Sequence, residues 1–230
     1  MRLEITDTLL RQVVSEVGPL VEAETGWPLE PAGLSVRAVP KERGYEEIVL
    51  GRLRGAGVRL DEAGRPGLPE RLLEYVVEAN VLAAYEPSRG ELIVVRENVD
   101  DSNLDGLRLV VGHELVHRAQ HVRYPELFSR LDSAIRSLFD ETAGLRDVLG
   151  RLKAIQPLMS LIESHAWHVQ ENLRRTHFPG AVIERHFNIA TVLMRVFGAR
   201  KVAQYRDAVP EIAAAAASGG VDGLFERLRV

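Results

Sequence analysis

The chain has 230 residues, 46% of them apolar and 27% charged, and a formal net charge of −4. That is the composition of an ordinary globular protein long enough to bury a substantial core, and it excludes a disordered or low-complexity chain. The absence of Cys excludes a disulfide framework, a thiolate zinc site and a cysteine nucleophile, and the mild acidic balance argues against a nucleic-acid partner held by bulk charge.

The opening Met-Arg-Leu-Glu-Ile-Thr-Asp carries early acids and no apolar h-region, so no signal peptide is expected. No apolar run approaches the roughly 20 residues of a membrane span. A soluble, cytoplasmic protein with no membrane partner is the expectation. Over residues 5–24 the apolar side chains recur at three and four, from Ile5, Leu9 and Leu10 to Leu20 and Val21. This predicts an amphipathic helix stopped near Gly26 and Pro28. Leu34, Val36 and Ala38 alternate with polar residues, which predicts a short strand closed by Pro40. Residues 44–66 contain five Gly and fit no single period. Residues 69–80 read as a helix with Pro69 in its first turn. Val81–Glu86 and Glu91–Glu97, joined by Pro87-Ser88-Arg89-Gly90, read as a β-hairpin.

From Leu104 onward the pattern is helical. Helices are expected over about 104–122, 126–151, 157–176, 181–197, 199–217 and 221–229, with Pro125, Pro157 and Gly198 as the breaks. No linker divides the chain. The expected fold class is α+β, predominantly α, in a single domain over 1–230. An α+β part over 1–100 ends in the hairpin, and a helical part follows over 101–230.

All seven His lie between 113 and 186, and two of them form a motif. His113-Glu114-Leu115-Val116-His117 is HExxH. Residues four apart lie on one helix face, about 6 Å apart along the axis. Two imidazoles so placed can point at one Zn²⁺, and the intervening Glu114 can take a proton from metal-bound water. Gly112 departs from the helical pattern and suggests a close approach by another element. His121 continues the stripe but stands about 12 Å from His113 along the axis, too far to share one ion with both. Gln120 and Arg123 exclude the single-helix pattern HExxHxxGxxH.

A catalytic zinc takes three protein ligands and one open position, so the third ligand must come from another helix. Glu163 lies in the apolar run Leu158, Leu161, Ile162, Ala166 and Val169. A carboxylate buried there must be paired or bind a metal, which makes Glu163 the first choice. His165 and His168 are the alternatives, and Glu171 stands behind them. His177 reads as a helix-end residue, and His186 as a helical residue able to approach the site.

HExxH followed by a helix-borne Glu 46 residues after the second His resembles the gluzincin arrangement of zinc metallopeptidases. Taken with Lys201-Val202-Ala203-Gln204-Tyr205-Arg206 and Gly219-Gly220-Val221-Asp222-Gly223-Leu224, residues 80–230 more specifically resemble a bacterial family of zincin-like zinc-dependent metalloproteases or hydrolases. Some of its members carry a name linking them to deazaflavin-coenzyme biosynthesis. The resemblance implies a zincin-like fold, one Zn²⁺ held by His113, His117 and Glu163, and Glu114 as the catalytic acid/base. One position departs from it, since Trp167 stands where gluzincins often place a carboxylate. An edge strand beside the zinc helix would then take a peptide or protein substrate as an added strand. Val94, Val95 and Arg96 of the second hairpin segment are candidates, as is the partner segment Val81–Glu86. Tyr205 is a candidate second donor to the oxyanion.

The sequence therefore points to a zinc-dependent peptidase or other amide hydrolase. The rival reading is a zinc-binding or scaffolding protein that keeps a zincin fold without turnover. Glu114 favours the first, because a structural site has no need of a base there. A DNA-associated regulator has nothing basic in the sequence to support it.

Overall fold

The computed structural model describes residues 3–59, 81–138, 145–181, 209–217 and 220–228. The expected helices over 69–80 and 181–197, and most of 199–217, lie outside the described residues.

Helix α1 spans Asp7–Thr25. Thr6 caps its start by accepting the Leu9 N–H at 3.2 Å, which satisfies one of the amides the first turn leaves open. Gly26 ends it in the left-handed conformation, φ 69°, where its own N–H reaches back to the Glu22 carbonyl. Strand β1, Ser35–Val39, follows.

The Gly-rich stretch that fits no period is helical in its first part. Helix α2 (Lys41–Gly44), a π-helical segment (Tyr45–Leu50) and α3 (Gly51–Gly55) run on without a break. Its glycines mark contact rather than a loop. A Cβ on Gly51 would stand 2.8 Å from the Arg89 guanidinium, and one on Gly44 would meet Val95 at 3.4 Å. The segment lies directly against the hairpin.

Strands β2 (Ala83–Glu86) and β3 (Glu91–Val95) form that hairpin. The sheet has three strands in the order β1-β3-β2. β3 pairs in parallel with β1, from Ser35↔Glu91 to Val39↔Val95, and antiparallel with β2, from Ala83↔Val94 to Glu86↔Glu91. This corrects one expectation. Val94 and Val95 sit on the central strand with neighbours on both sides, and Arg96 begins a 3-10 turn. They offer no edge, whereas β2 has an unpaired side among the described residues. β3 is an unbroken apolar run because both faces are covered. Leu92 and Val94 face the core shared with α1, while Ile93 and Val95 join Tyr45, Ile48, Val49 and Leu53 in a second cluster.

Helix α4, Leu104–Arg123, carries the HExxH motif and is capped by Asn103, whose Oδ1 accepts the Gly106 N–H at 2.9 Å. It packs chiefly on α1 and on α6 and is buried on nearly every side from Leu107 to Gln120. Helix α5 covers Pro125–Leu138, and α6 covers Leu145–Thr176. The sequence placed a helix start at Pro157, but α6 runs straight through it. Leu158, Met159, Ile162, Ala166, Val169 and Leu173 are all buried in this stretch, so tertiary packing outweighs the hydrogen bond that Pro forfeits. Helices α7 (Val209–Ala217) and α8 (Asp222–Glu226) close the described chain. The architecture is α+β and mostly helical, with the small sheet in the N-terminal part. None of the described helices is long and apolar enough to cross a membrane.

Candidate metal centre

The site begins at Gly112. A Cβ there would stand 3.2 Å from a Leu173 methyl of α6 and 3.3 Å from a Val17 methyl of α1. Lack of a side chain lets both helices close on α4 one residue before His113. That proximity brings the 163–170 stretch of α6 over the motif.

His113, His117 and Glu163 gather there. The ligand-capable atoms of the three lie within 4.8 Å of one another, and all three residues are buried. His113 Nε2 stands 3.6 Å from Glu163 Oε2, and His117 Nε2 stands 3.4 Å from Glu163 Oε1. Ligands at zinc bond lengths of about 2.0–2.1 Å, arranged tetrahedrally, are about 3.4 Å apart. The observed separations are close to that edge length, and the donor set of two imidazoles and one carboxylate suits a borderline cation such as Zn²⁺. The residues fit a metal ion.

Electrostatics points the same way. Burial disfavours a charged His113, but its hydrogen bond with Glu163 and the charges of Glu114 and Glu163 outweigh that and raise its pKa. The carboxylates that favour a proton on His113 also favour a cation in its place.

Glu114 is 5% exposed and points at the sheet, where its Oε2 accepts the Tyr85 N–H of β2 at 2.8 Å. The alternation of the ladder explains why that donor is available. The Leu82 carbonyl accepts from Val95, so Leu82, Ala84 and Glu86 turn their backbone groups to β3 while Ala83 and Tyr85 turn theirs outward.

The other candidates fall elsewhere. His165 is buried, rests against Trp27 and Phe225 with ring centroids at 4.8 and 5.5 Å, and does not join the three-residue group. Burial, with smaller repulsion from His168 and His117, pushes its pKa down to about 3. His168 lies near Asn172 on another side of α6. Glu171 is held by Arg174 and Arg175 at 2.8 and 2.7 Å. His121 bonds the Tyr85 hydroxyl through Nδ1 at 2.9 Å. His177 follows the end of α6, where its N–H reaches the Leu173 carbonyl. Tyr205 and His186 lie outside the described residues. Trp167 stands edge-on to His113, 5.8 Å between centroids, and forms an aromatic wall beside the centre.

Two residues at the site escape sequence reasoning. Gln120 accepts from His117 Nδ1 at 2.8 Å, and Gln170, which donates to the Leu109 carbonyl, interacts with His113. Gln120 was legible in part, as an amide three residues after a ligand on an apolar helix. Nothing in the spacing ties Gln170 to His113.

No family model, curated protein or solved structure matches the chain.

Proposed function

We propose that this protein is a zinc-dependent hydrolase, most specifically a metallopeptidase, of the zincin-like type that its sequence resembles. The observation that carries the reading is the buried His113–His117–Glu163 group with Glu114 beside it. Zn²⁺ bound there would supply a Lewis acid that polarises a carbonyl and brings the pKa of water near neutrality.

The chain's own residues account for the rest. Glu114 holds the backbone of β2 with one carboxylate oxygen and keeps the other for water. It takes the proton as the nucleophile forms and returns it to the leaving amine. With the Tyr85 N–H taken by Glu114, the outward N–H and C=O of Ala83 and the outward C=O of Tyr85 give an extended peptide a strand to pair with, beside Glu114. This moves the proposed substrate contact from β3 to β2. Trp167, edge-on to His113, offers an aromatic surface beside the metal centre. A cytoplasmic location belongs to the same proposal and rests on the globular composition alone.

A scaffold role gains less support. A structural zinc site is closed by a fourth protein ligand, and among the described residues only three gather. Metal analysis of protein purified without added zinc tests the reading. About one Zn per chain is expected, with loss in His113→Ala and Glu163→Ala and retention in Glu114→Gln. Glu114→Gln should cut peptide hydrolysis by about 10²–10⁴-fold. Metal retained in Glu163→Ala would remove the carboxylate ligand, and a peptide library left intact by the metal-loaded wild type would remove the hydrolase.

A further inference from the structure

We propose that Gln120 and Gln170 are positioning residues that hold His117 and His113 in the tautomer whose Nε2 lone pair faces the metal, and do so with neutral amides rather than carboxylates. The proposal rests on the metal reading above.

Hydrogen-bond polarity fixes the orientation of Gln120. Its Nε2 stands 2.8 Å from the Ile162 carbonyl and 3.1 Å from His165 Nδ1. A carbonyl oxygen only accepts, so the NH₂ group must be on that side. Its Oε1 is therefore the atom 2.8 Å from His117 Nδ1. An amide oxygen also only accepts, so Nδ1 carries the proton and Nε2 is left as the lone-pair donor. That Nε2 is the atom facing Glu163. His165 completes the logic. It is buried against Trp27 and Phe225, and because the Gln120 NH₂ group only donates, His165 Nδ1 is the acceptor of that contact. Because Ile162 directly precedes Glu163, one amide also sets the ligand turn of α6 against the ligand turn of α4.

Gln170 has the corresponding place beside the other ligand, with which it interacts. Its Nε2 donates to the Leu109 carbonyl at 3.1 Å, one turn before His113, which leaves its oxygen as the acceptor end for the ring. Neither glutamine has any exposed surface. A carboxylate in either place would raise the basicity of its imidazole and add a charge. The amides fix direction without doing so, and Glu163 stays the one anionic ligand against a divalent ion.

The test uses the full chain, stripped of metal and titrated with Zn²⁺ against a chromophoric chelator. Titration with Co²⁺ alone, read by its visible absorption, reports ligand geometry. Gln120→Leu should bind Zn²⁺ about 10- to 100-fold more weakly than wild type, with an altered Co²⁺ spectrum. Gln120→Glu keeps an acceptor facing His117 but loses the donor to the Ile162 carbonyl, so it should bind Zn²⁺ more tightly than Gln120→Leu. Gln120→Leu with wild-type affinity and spectrum would overturn the proposal. If that variant does not fold, Gln170→Leu carries the same expectation at His113, and an unchanged affinity there is equally fatal. A wild type that binds neither ion overturns the metal reading beneath the proposal. That outcome is distinguishable, because failure of the glutamine role alone requires a wild type that binds.

Discussion

Arg118 donates to the Tyr85 hydroxyl at 3.0 Å, which leaves that hydroxyl's proton for His121 Nδ1 at 2.9 Å. His121 must be neutral to accept it. Burial lowers its pKa, aided by Arg118 and Arg52. The unfolded chain therefore takes up this proton first, and the stability His121 contributes is complete above its ordinary pKa of about 6.5 and lost as pH falls. His121→Phe should cost about 1 kcal/mol near neutral pH. Its deficit relative to wild type should shrink at about pH 5, in urea unfolding with excess chelator. A deficit that stays constant across that range would show that His121 is not the titrating group. At the same scale, Gly112→Val pushes a branched side chain into Leu173 and Val17. A loss of about 1–3 kcal/mol is expected, with weaker Zn²⁺ binding as α6 is pushed away; unchanged stability and affinity would show that the helices give way freely.

At the scale of elements, α3 is tied to the hairpin and to α5 through one buried arginine. Arg52 stands 3.5 Å from Glu86 of β2 and 2.5 Å from Asp132 of α5. Removing one partner from a buried ionic group leaves uncompensated charge and costs about 3–5 kcal/mol. Arg52→Met should show that loss by chemical denaturation. Arg175→Met, at an exposed partner of Glu171, should cost under about 1 kcal/mol. Equal effects would mean the Arg52 group is as well solvated as a surface pair.

The same elements show what sequence can reveal. α1 and α4 were legible because period and cap agree locally, at Thr6, Gly26 and Asn103. The hairpin was legible from its turn chemistry. The pairing of β1 with β3 was not, since it joins segments 56 positions apart, Ser35 with Glu91, without a local signal. The Gly-rich helical stretch failed the periodic reading because its glycines answer to Arg89 and Val95 rather than to backbone preference. At the site, HExxH and the buried Glu163 could be read from spacing and apolar context. The choice among Glu163, His165 and His168 needed the rotation of α6 about its axis, which tertiary packing sets.

At the scale of the whole molecule, the candidate ligands staple two helices of the core. His113 and His117 come from α4 and Glu163 from α6. An ion that binds only the folded chain stabilises it by about 2.7 kcal/mol at a free concentration 100 times Kd. Chelation should therefore lower Tm, and stepwise addition of Zn²⁺ should raise it again with concentration. The His113→Ala variant should be insensitive to both treatments. A wild-type Tm indifferent to chelator and to added zinc would remove the staple.

The bond from Tyr85 to Glu114 has a consequence for timing. A carboxylate free in a cleft rotates about its last bond and must be arrested each time it accepts a proton. Here one oxygen is already claimed by a strand amide at 2.8 Å, and that strand is fastened in a sheet. The rotational freedom is surrendered once, when the chain folds, and in the proposed hydrolase would not be surrendered again at each turnover. The same amide ties the base to the strand proposed to carry the substrate. In the hydrolase proposed above, any slip of β2 along β3 would therefore reach bound peptide and base together, and substrate register and proton transfer would share one mechanical coordinate.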